Sequence, residues 1–406
     1  MFICEICNKT YKYEKNYKKH RCKNKFEKKG EKKKKIMKDN SSIKILKELI
    51  YKKQEQLRKM KAISLFSGMG GDSLGIYDSG IELVGYSEID EVFQKTHDIN
   101  FPKSKLIGNG NILKTKDDDF EVFKGTIDLV FAGFPCQGFS NAGKKEPDDP
   151  RNTLFREFLR VTRLIEPNYI IGENVKGLVK KTTTTNELYI DIIQKEFENL
   201  GYDIYMKVMK CNLHGIPQNR ERLIIVGIKN TIQHNFTFPE EEENDQNLKD
   251  ILQFSMEGSI KIEKDDFDMN TIPSECILTD MENEEDENEP HPNLKLLAKD
   301  KNYEYKGTIF PRRIHFGKRI PVGGEIIDIR KPLNTIICTY SRQPRFFVPL
   351  KNKNGYYLRC LLPDELKQIQ GFPHDYKICG NKNQQIIQIG NAVPPPLITK
   401  VIQSMI

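Results

Sequence analysis

The chain is expected to fold as a doubly wound α/β core with a motif-poor insertion and a small basic N-terminal module. Three observations lead there: strand-then-helix units repeat from residue 62 onward, a glycine-rich turn closes the first strand, and the net positive charge resides in the first sixty-one residues. At 406 residues, with 37% hydrophobic and 30% charged, the chain is polar but long enough to bury a sizeable core. No apolar run reaches the ~18 residues of a membrane span. The start, Met1-Phe2-Ile3-Cys4-Glu5, turns lysine-rich without an apolar signal segment. An intracellular protein is expected, cytoplasmic, or nuclear in a eukaryote, and neither secreted nor membrane-inserted. The nine cysteines are irregularly spaced and should be free, metal-bound or catalytic thiols.

Residues 1–25 read as a zinc-finger-like module of ββα type. Cys4 and Cys7 form a Cys-x2-Cys knuckle, His20 follows after twelve residues, and Cys22 is the obvious fourth ligand for a structural Zn2+. So short a segment needs the metal to fold. His20 and Cys22 are separated by one residue, and positions i and i+2 of a continuous helix diverge by ~200°. Cys22 can therefore ligate only where the helix ends or bends; a bare knuckle or a three-ligand site are the alternatives. Residues 26–60 read as a basic linker containing Lys32-Lys33-Lys34-Lys35, then an amphipathic helix from Ile43 to Met60. Residues 1–61 carry 22 Lys and Arg against 7 Asp and Glu, net +15, whereas residues 62–406 carry 43 against 50, net −7. The arm is the first candidate for contact with a polyanion, although a solvated linker has the same composition.

Residues 61–229 read as the cofactor-binding and catalytic domain. The strand Ala62–Phe66 runs into Ser67-Gly68-Met69-Gly70-Gly71-Asp72 and a helix ending near Tyr77. Such a turn lets backbone N–H groups approach a nucleotide or adenosyl ligand. A second strand, Leu83–Ser87, ends in Glu88, 22 residues beyond Phe66, where a carboxylate can accept ribose hydroxyls. A pyrophosphate reader is expected to show Gly-x-Gly-x-x-Gly. The turn here is Gly68-x-Gly70-Gly71 behind Phe66, whose ring can stack on adenine, a pattern that favours S-adenosylmethionine over NAD. Two further units, Ile127–Phe131 with a helix over 152–165 and Tyr169–Ile171 with a helix over 186–200, specify a mostly parallel sheet. Ligands then sit at the strands' carboxyl ends.

Candidate reactive residues collect at those ends. Cys136 follows Pro135 in Gly133-Phe134-Pro135-Cys136-Gln137, Glu173 closes the strand that begins at Tyr169, and Arg220 and Arg222 lead into the strand Leu223–Gly227, both expected on one face.

With these residues in place the chain resembles the DNA cytosine methyltransferases that act on carbon 5. The resemblance is carried, in order, by Phe66-Ser67-Gly68-Met69-Gly70-Gly71, Glu88, Gly133-Phe134-Pro135-Cys136-Gln137, Asp149-x-Arg151-Asn152-x-Leu154, Glu173-Asn174-Val175 and Gln218-x-Arg220-x-Arg222. Arg330–Ile336, Gln370-Gly371-Phe372-Pro373 and Gln388-Ile389-Gly390-Asn391-Ala392-Val393-Pro394-Pro395 complete it. It implies a Rossmann-like, S-adenosylmethionine-dependent methyltransferase domain with a smaller target-recognition domain. Cys136 would be the nucleophile, Glu173 and Arg222 the groups on N3 and O2 of the base, and Arg220 the organiser of that pair. Phe66, Gly68, Gly70, Gly71, Glu88, Asn111, Pro135, Leu154 and Asn391 would line the cofactor. Duplex DNA is the implied partner, a monomer the expected state, and a companion restriction endonuclease is compatible with the resemblance. Two positions depart from the family pattern: Asn111 stands where an aspartate often accepts from the adenine amino group, and Ser64 replaces a frequent aspartate. A tRNA-directed relative and a non-enzymatic DNA-binding regulator are the alternatives. The lysine- and asparagine-rich composition fits an AT-rich bacterial or viral genome.

Residues 230–329 hold no family motif and read as the target-recognition region; 330–406 would end it and return the chain to the catalytic domain. The acidic runs at 240–243 and 282–289 should face solvent, since they would repel phosphate. Within Pro311–Arg319, Arg312, Arg313, Lys318 and Arg319 are the candidates for base or phosphate contact, with a plain solvated loop as the alternative, and Gly323-Gly324 suits a tight turn.

Overall fold

The computed structural model describes the strand pair Phe2–Ile3 and Thr10–Tyr11 and residues 59–135, 154–183, 185–242, 247–262, 272–278, 304–306, 312–316, 322–341 and 345–406. The chain divides into two units, Met1–Lys59 and Met60–Ile406. In the first, Phe2–Ile3 pairs antiparallel with Thr10–Tyr11. The expected metal ligands Cys4, Cys7, His20 and Cys22, the linker and the helix over 43–60 lie outside the described residues, apart from the closing pair 59–60.

The second unit is built on a seven-stranded sheet. Its strands are β1 (Lys61–Leu65), β2 (Glu82–Ser87), β3 (Lys105–Leu106), β4 (Leu129–Ala132), β5 (Tyr169–Val175), β6 (Tyr202–Lys210) and, after a short β7 (Gln218–Asn219) outside this sheet, β8 (Glu221–Lys229). The order is β3-β2-β1-β4-β5-β8-β6. The first five pair in parallel, whereas β8 runs antiparallel to both β5 and β6. The strand expected at Leu223–Gly227 thus forms, reversed. Only ten residues, 211–220, join β6 to β8, short of the dozen or more that a parallel crossover needs.

Helices α1 (Gly71–Asp78), α2 (Glu91–Asn100), α3 (Leu154–Ile165) and α4 (Tyr189–Glu198) fill the connections. Strand alternation sends neighbouring residues to opposite faces. Ala62, Leu129, Phe131, Ile171, Ile224 and Val226 bury against one core; Ile63, Leu65, Val130, Ile170, Leu223 and Ile225 bury against another that includes α3 and α4. The first core also takes in the C-terminal helices α5 (Pro363–Ile369), α6 (Lys382–Asn391) and α7 (Pro395–Met405). Contact between α1 and α7 with the link that enters it is close: a Cβ on Gly71 would lie 2.0 Å from the carbonyl oxygen of Val393, two residues before α7, and one on Gly75 2.7 Å from Ile398 in α7.

A second sheet of six strands holds β9 (Ile260–Ile262), β10 (Glu304–Lys306), β11 (Arg312–Phe316), β12 (Val322–Ile326), β14 (Phe346–Asn352) and β15 (Gly355–Cys360), in the order β9-β15-β14-β12-β11-β10. Between them β13 (Leu333–Asn334) pairs in parallel with β7. One expectation is corrected here. Gly323-Gly324 is no turn but the interior of β12, where both neighbours impose extension: Gly323 opposes His315 and Gly324 opposes Ile314 on β11, and Ile326 opposes Phe347 on β14. Arg312 and Arg313 lie on β11, in register with Ile326 and Glu325, not in a loop; Lys318 and Arg319 fall outside the described residues.

The sheet is joined to its support by a buried ion pair. Arg359 donates to both carboxylate oxygens of Glu365 at 2.9 and 2.7 Å and to the Gln253 carbonyl at 2.6 Å, while Glu365 also accepts from the Leu362 and Gln253 N–H groups. Every charge there is paired, the condition under which burying one is tolerated.

Candidate active site

The carboxyl ends of β1, β2, β4 and β5 share one edge of the sheet, which bears the Gly68 turn, Glu88 and Glu173, with Arg222 beside Glu173 at the start of antiparallel β8. After β1 the chain turns sharply. Phe66 adopts φ 57°, a left-handed conformation that costs a non-glycine residue of order 1 kcal/mol or more and tends to mark functional turns. Gly68 and Gly70 follow at φ 56° and 91°. The three glycines are required for different reasons. A Cβ on Gly68 would meet nothing within 4 Å, so open space lies above it; one on Gly70 would lie 2.7 Å from the Phe101 ring, and Gly71 is fixed by the Val393 carbonyl.

Glu88 stands across that turn. Its Oε2 accepts from the Gly68 N–H at 2.8 Å and its Oε1 from the Asp90 N–H at 2.9 Å, so each oxygen is held while keeping acceptor capacity. Burial raises the Glu88 carboxyl above the ordinary carboxylate range, against the lowering effect of those backbone donors. Asn111 follows Gly110, itself pressed against the Glu88 carbonyl, and the Asn111 Oδ1 accepts from the Leu113 N–H at 3.1 Å. Leu154 opens α3, and Asn391 is the exposed last residue of α6. The open space above Gly68, bounded by a half-buried Phe66 and a held carboxylate, fits an adenosyl group.

Glu173 and Arg222 meet on the adjoining strands. The Arg222 Nε lies 2.8 Å from Glu173 Oε1, both side chains are nearly buried, and Arg222 also donates from Nη1 to the Glu221 carbonyl. Among the described residues, Glu173 Oε2 has no hydrogen-bond partner. Pro135 ends the described segment after β4, so Cys136 itself lies outside it. The approach to Cys136 is nonetheless tethered, because Asn174 donates from Nδ2 to the Phe134 carbonyl at 2.9 Å.

Arg220 does not share a face with Arg222. It sits between β7 and β8, where its N–H bonds the Gln218 carbonyl and breaks the strand's alternation. Its guanidinium is fully buried and donates to the carbonyls of Ile336 at 2.9 Å, Gly390 at 3.2 Å and Ala392 at 3.0 Å. Its hydrogen bonds therefore tie it to the C-terminal return instead of to the Glu173 pair. Gln218 and Gln370 complete that network, bonding each other at 2.6 Å and reaching the Ile336 N–H and the Ala392 carbonyl.

Four functional-looking residues are not singled out by sequence reasoning. Asn174, Gln218 and Gln370 stood inside quoted motifs, but a motif gives no hint which carbonyl a side-chain amide will reach. Asp72 was read only as part of the turn. It is fully buried on α1 and accepts from the Ser64 hydroxyl, and burial pushes its carboxyl up to about 7. Ser64 thus stands opposite a carboxylate supplied eight residues later.

A model of C-5 cytosine-specific DNA methylases matches residues 60–406. The chain belongs to this family. It is 31% identical to the type II methyltransferase M1.HphI of Haemophilus parahaemolyticus over 353 residues, covering 85% of this chain and 86% of that one. It is 29% identical to M.BsuFI of Bacillus subtilis over 360 residues, 87% and 74% of the respective chains, and 28% identical to M.HhaI of Haemophilus parahaemolyticus over 354, 84% and 92%. Among solved structures, the fold resembles a putative DNA modification methyltransferase from an Escherichia coli prophage, with TM-score 0.56 at 22% identity over 85% of this chain and 98% of that one. It also resembles the Entamoeba histolytica methyltransferase EhMeth, with TM-score 0.58 at 17% identity over 86% and 98%. The chain is accordingly a DNA cytosine-5 methyltransferase, its substrate is DNA, and S-adenosylmethionine is the family's methyl donor. Among the described residues no cluster of three or more His, Cys, Asp or Glu could hold a metal ion, and no helix is long and apolar enough to cross a membrane.

Proposed function

We propose that the chain methylates carbon 5 of a cytosine extruded from duplex DNA, with Cys136 as a transient nucleophile at carbon 6. The observation that carries this reading is the Glu173–Arg222 pair, 2.8 Å apart and nearly buried, on the sheet edge that also bears the Gly68 turn and the tethered lead-in to Cys136.

A stacked base cannot offer carbon 6 to a thiolate approaching from above its plane, so the cytosine must leave the helix at a cost of a few kcal/mol. Attack by the Cys136 thiolate forms a sulfur–carbon bond and moves an electron pair toward N3 and O2. Glu173, oriented through Oε1 by Arg222, presents its carboxyl to N3, and Arg222 offers its remaining terminal nitrogen near O2. In a site closed to water, one such contact is worth ~10²–10³ in rate. Carbon 5, now enamine-like, takes the methyl group that S-adenosylmethionine supplies. Loss of the carbon-5 proton then restores the double bond and expels the Cys136 sulfur. Phe66, Gly68, Gly70, Gly71, Glu88, Asn111, Pro135, Leu154 and Asn391 are the residues assigned to the cofactor, Glu88 through its free lone pairs.

The type II names of the relatives support a sequence-specific role beside a restriction endonuclease; a monomeric state, and the choice of target by residues 230–329, belong to the same proposal. Cys4, Cys7, His20 and Cys22 are assigned a structural Zn2+; metal analysis of the purified chain should find one zinc per molecule, lost in a Cys4→Ser/Cys7→Ser variant. For the main reading, methyl-labelled S-adenosylmethionine is incubated with the enzyme and either duplex DNA or tRNA. Label as 5-methylcytosine in the duplex supports it; label in tRNA alone, or in neither, overturns it.

A further inference from the structure

We infer that the segment following β5, residues 176–188, grips the DNA backbone beside the extruded nucleotide, with Lys180 as its principal phosphate contact. The inference rests on the reading of duplex DNA as substrate and adds to it a grip on the catalytic domain itself, separate from the recognition sheet.

Strand β5 ends at Val175, two residues past Glu173, and the chain enters a single 3-10 turn, Lys176–Lys180, packed against β8. The segment therefore begins beside the Glu173–Arg222 pair. Beyond it, Thr182 bridges Leu188 in antiparallel fashion, and Asn186, at φ 63°, closes the loop between them. The hydroxyl of Thr183 accepts from the N–H groups of Thr185 and Glu187, which ties these residues together. The exposed side chains of the segment are Lys176, Lys180, Thr182, Thr185, Asn186 and Glu187, and among them Lys180, Thr182 and Thr185 are a lysine and hydroxyl set of the kind that bonds phosphate oxygens.

The ion pairs single out Lys180. Lys176 is neutralised by Glu221 at 2.8 Å, whereas Lys180 has no anionic partner among the described residues. It keeps an uncompensated charge on the segment that leaves the active-site edge, in a portion of chain, residues 62–406, with 43 Lys and Arg against 50 Asp and Glu. A backbone contact here would pull on the flanking phosphates without reading any base, so its loss should weaken all duplexes alike.

The test measures duplex affinity of the full-length enzyme against salt concentration, on a duplex carrying the methylation site and on one without it. Losing one phosphate contact lowers the slope of log K on log salt by about 0.9, which weakens binding about fivefold to tenfold near 0.1 M salt. Lys180→Gln should show both effects on both duplexes, Lys180→Glu a larger loss, and Lys180→Arg near-native values, with S-adenosylmethionine affinity retained throughout. Lys195→Gln, an exposed charge on α4, should change neither. Unchanged affinity and slope in Lys180→Gln, or an equal loss in Lys195→Gln, would overturn the phosphate grip while leaving the methylation reading intact. A wild-type enzyme that labels no duplex would instead sink that reading, and this inference with it.

Discussion

Asp72 is the residue whose chemistry departs most from its type. Burial dominates its environment and holds the carboxyl near 7, against 3.8 for an ordinary aspartate, despite the opposing hydrogen bond from Ser64. A carboxyl with a raised folded-state pKa binds its proton more tightly in the native chain than in the unfolded one. Its contribution to stability is complete below pH 3.8 and is gone once the pH has risen past about 7. Within that window the loss runs up to about 1.4 kcal/mol for each pH unit. Thermal unfolding between pH 5 and 8 should therefore show the wild type losing stability with rising pH more steeply than Asp72→Asn, whose amide cannot ionise. Parallel profiles would mean that Asp72 is not held protonated.

The glycine turn and its two helices give a prediction at the level of elements. Gly68 is needed for its φ of 56° and for the open space above it, Gly71 because a Cβ would drive into the Val393 carbonyl. Gly71→Ala should thus act on the α1–α7 contact and lower stability by roughly 1–3 kcal/mol or more through overpacking. Gly68→Ala should cost about 1 kcal/mol in backbone strain and mainly weaken S-adenosylmethionine binding. Calorimetric unfolding and cofactor titration separate the two, and equal effects of both substitutions on both measurements would contradict the division of labour. Many of the elements are legible in the sequence: β1, β2, β4, β5 and helices α1, α3 and α4 fall where apolar runs and glycine turns put them, because a buried parallel strand needs a continuous apolar run, whereas α2, β3 and β6 are not among the expected elements. Pairing direction was not legible. The reversal of β8 follows from the length of a loop, the extension of Gly323-Gly324 from neighbouring strands, and the inward turn of Arg220 from carbonyls more than a hundred residues away; none leaves a local signal. The Glu173–Arg222 pair was legible only as a motif, since its geometry depends on the register that sets Ile224 opposite Glu173.

On the scale of the whole molecule, charge is divided: the first 61 residues carry net +15 and the remainder net −7. A basic arm on an acidic enzyme should supply sequence-independent attraction to DNA, so removing residues 1–40 should raise the apparent Kd and flatten its salt dependence. Unchanged values in a titration over salt would assign the arm another task, such as recruiting a partner. The sheet edge that bears the Glu173–Arg222 pair also carries the Asn174 tether to the Phe134 carbonyl, two residues before Cys136, the nucleophile we propose. The most direct measurement is the intact mass of the enzyme after incubation with S-adenosylmethionine and a duplex carrying 5-fluorocytosine at the methylated position, where fluorine replaces the proton whose loss frees the enzyme. A covalent protein–DNA species, absent from Cys136→Ser, is the expected result. Failure of the wild type to form that adduct, or its undiminished formation by Cys136→Ser, would contradict the account.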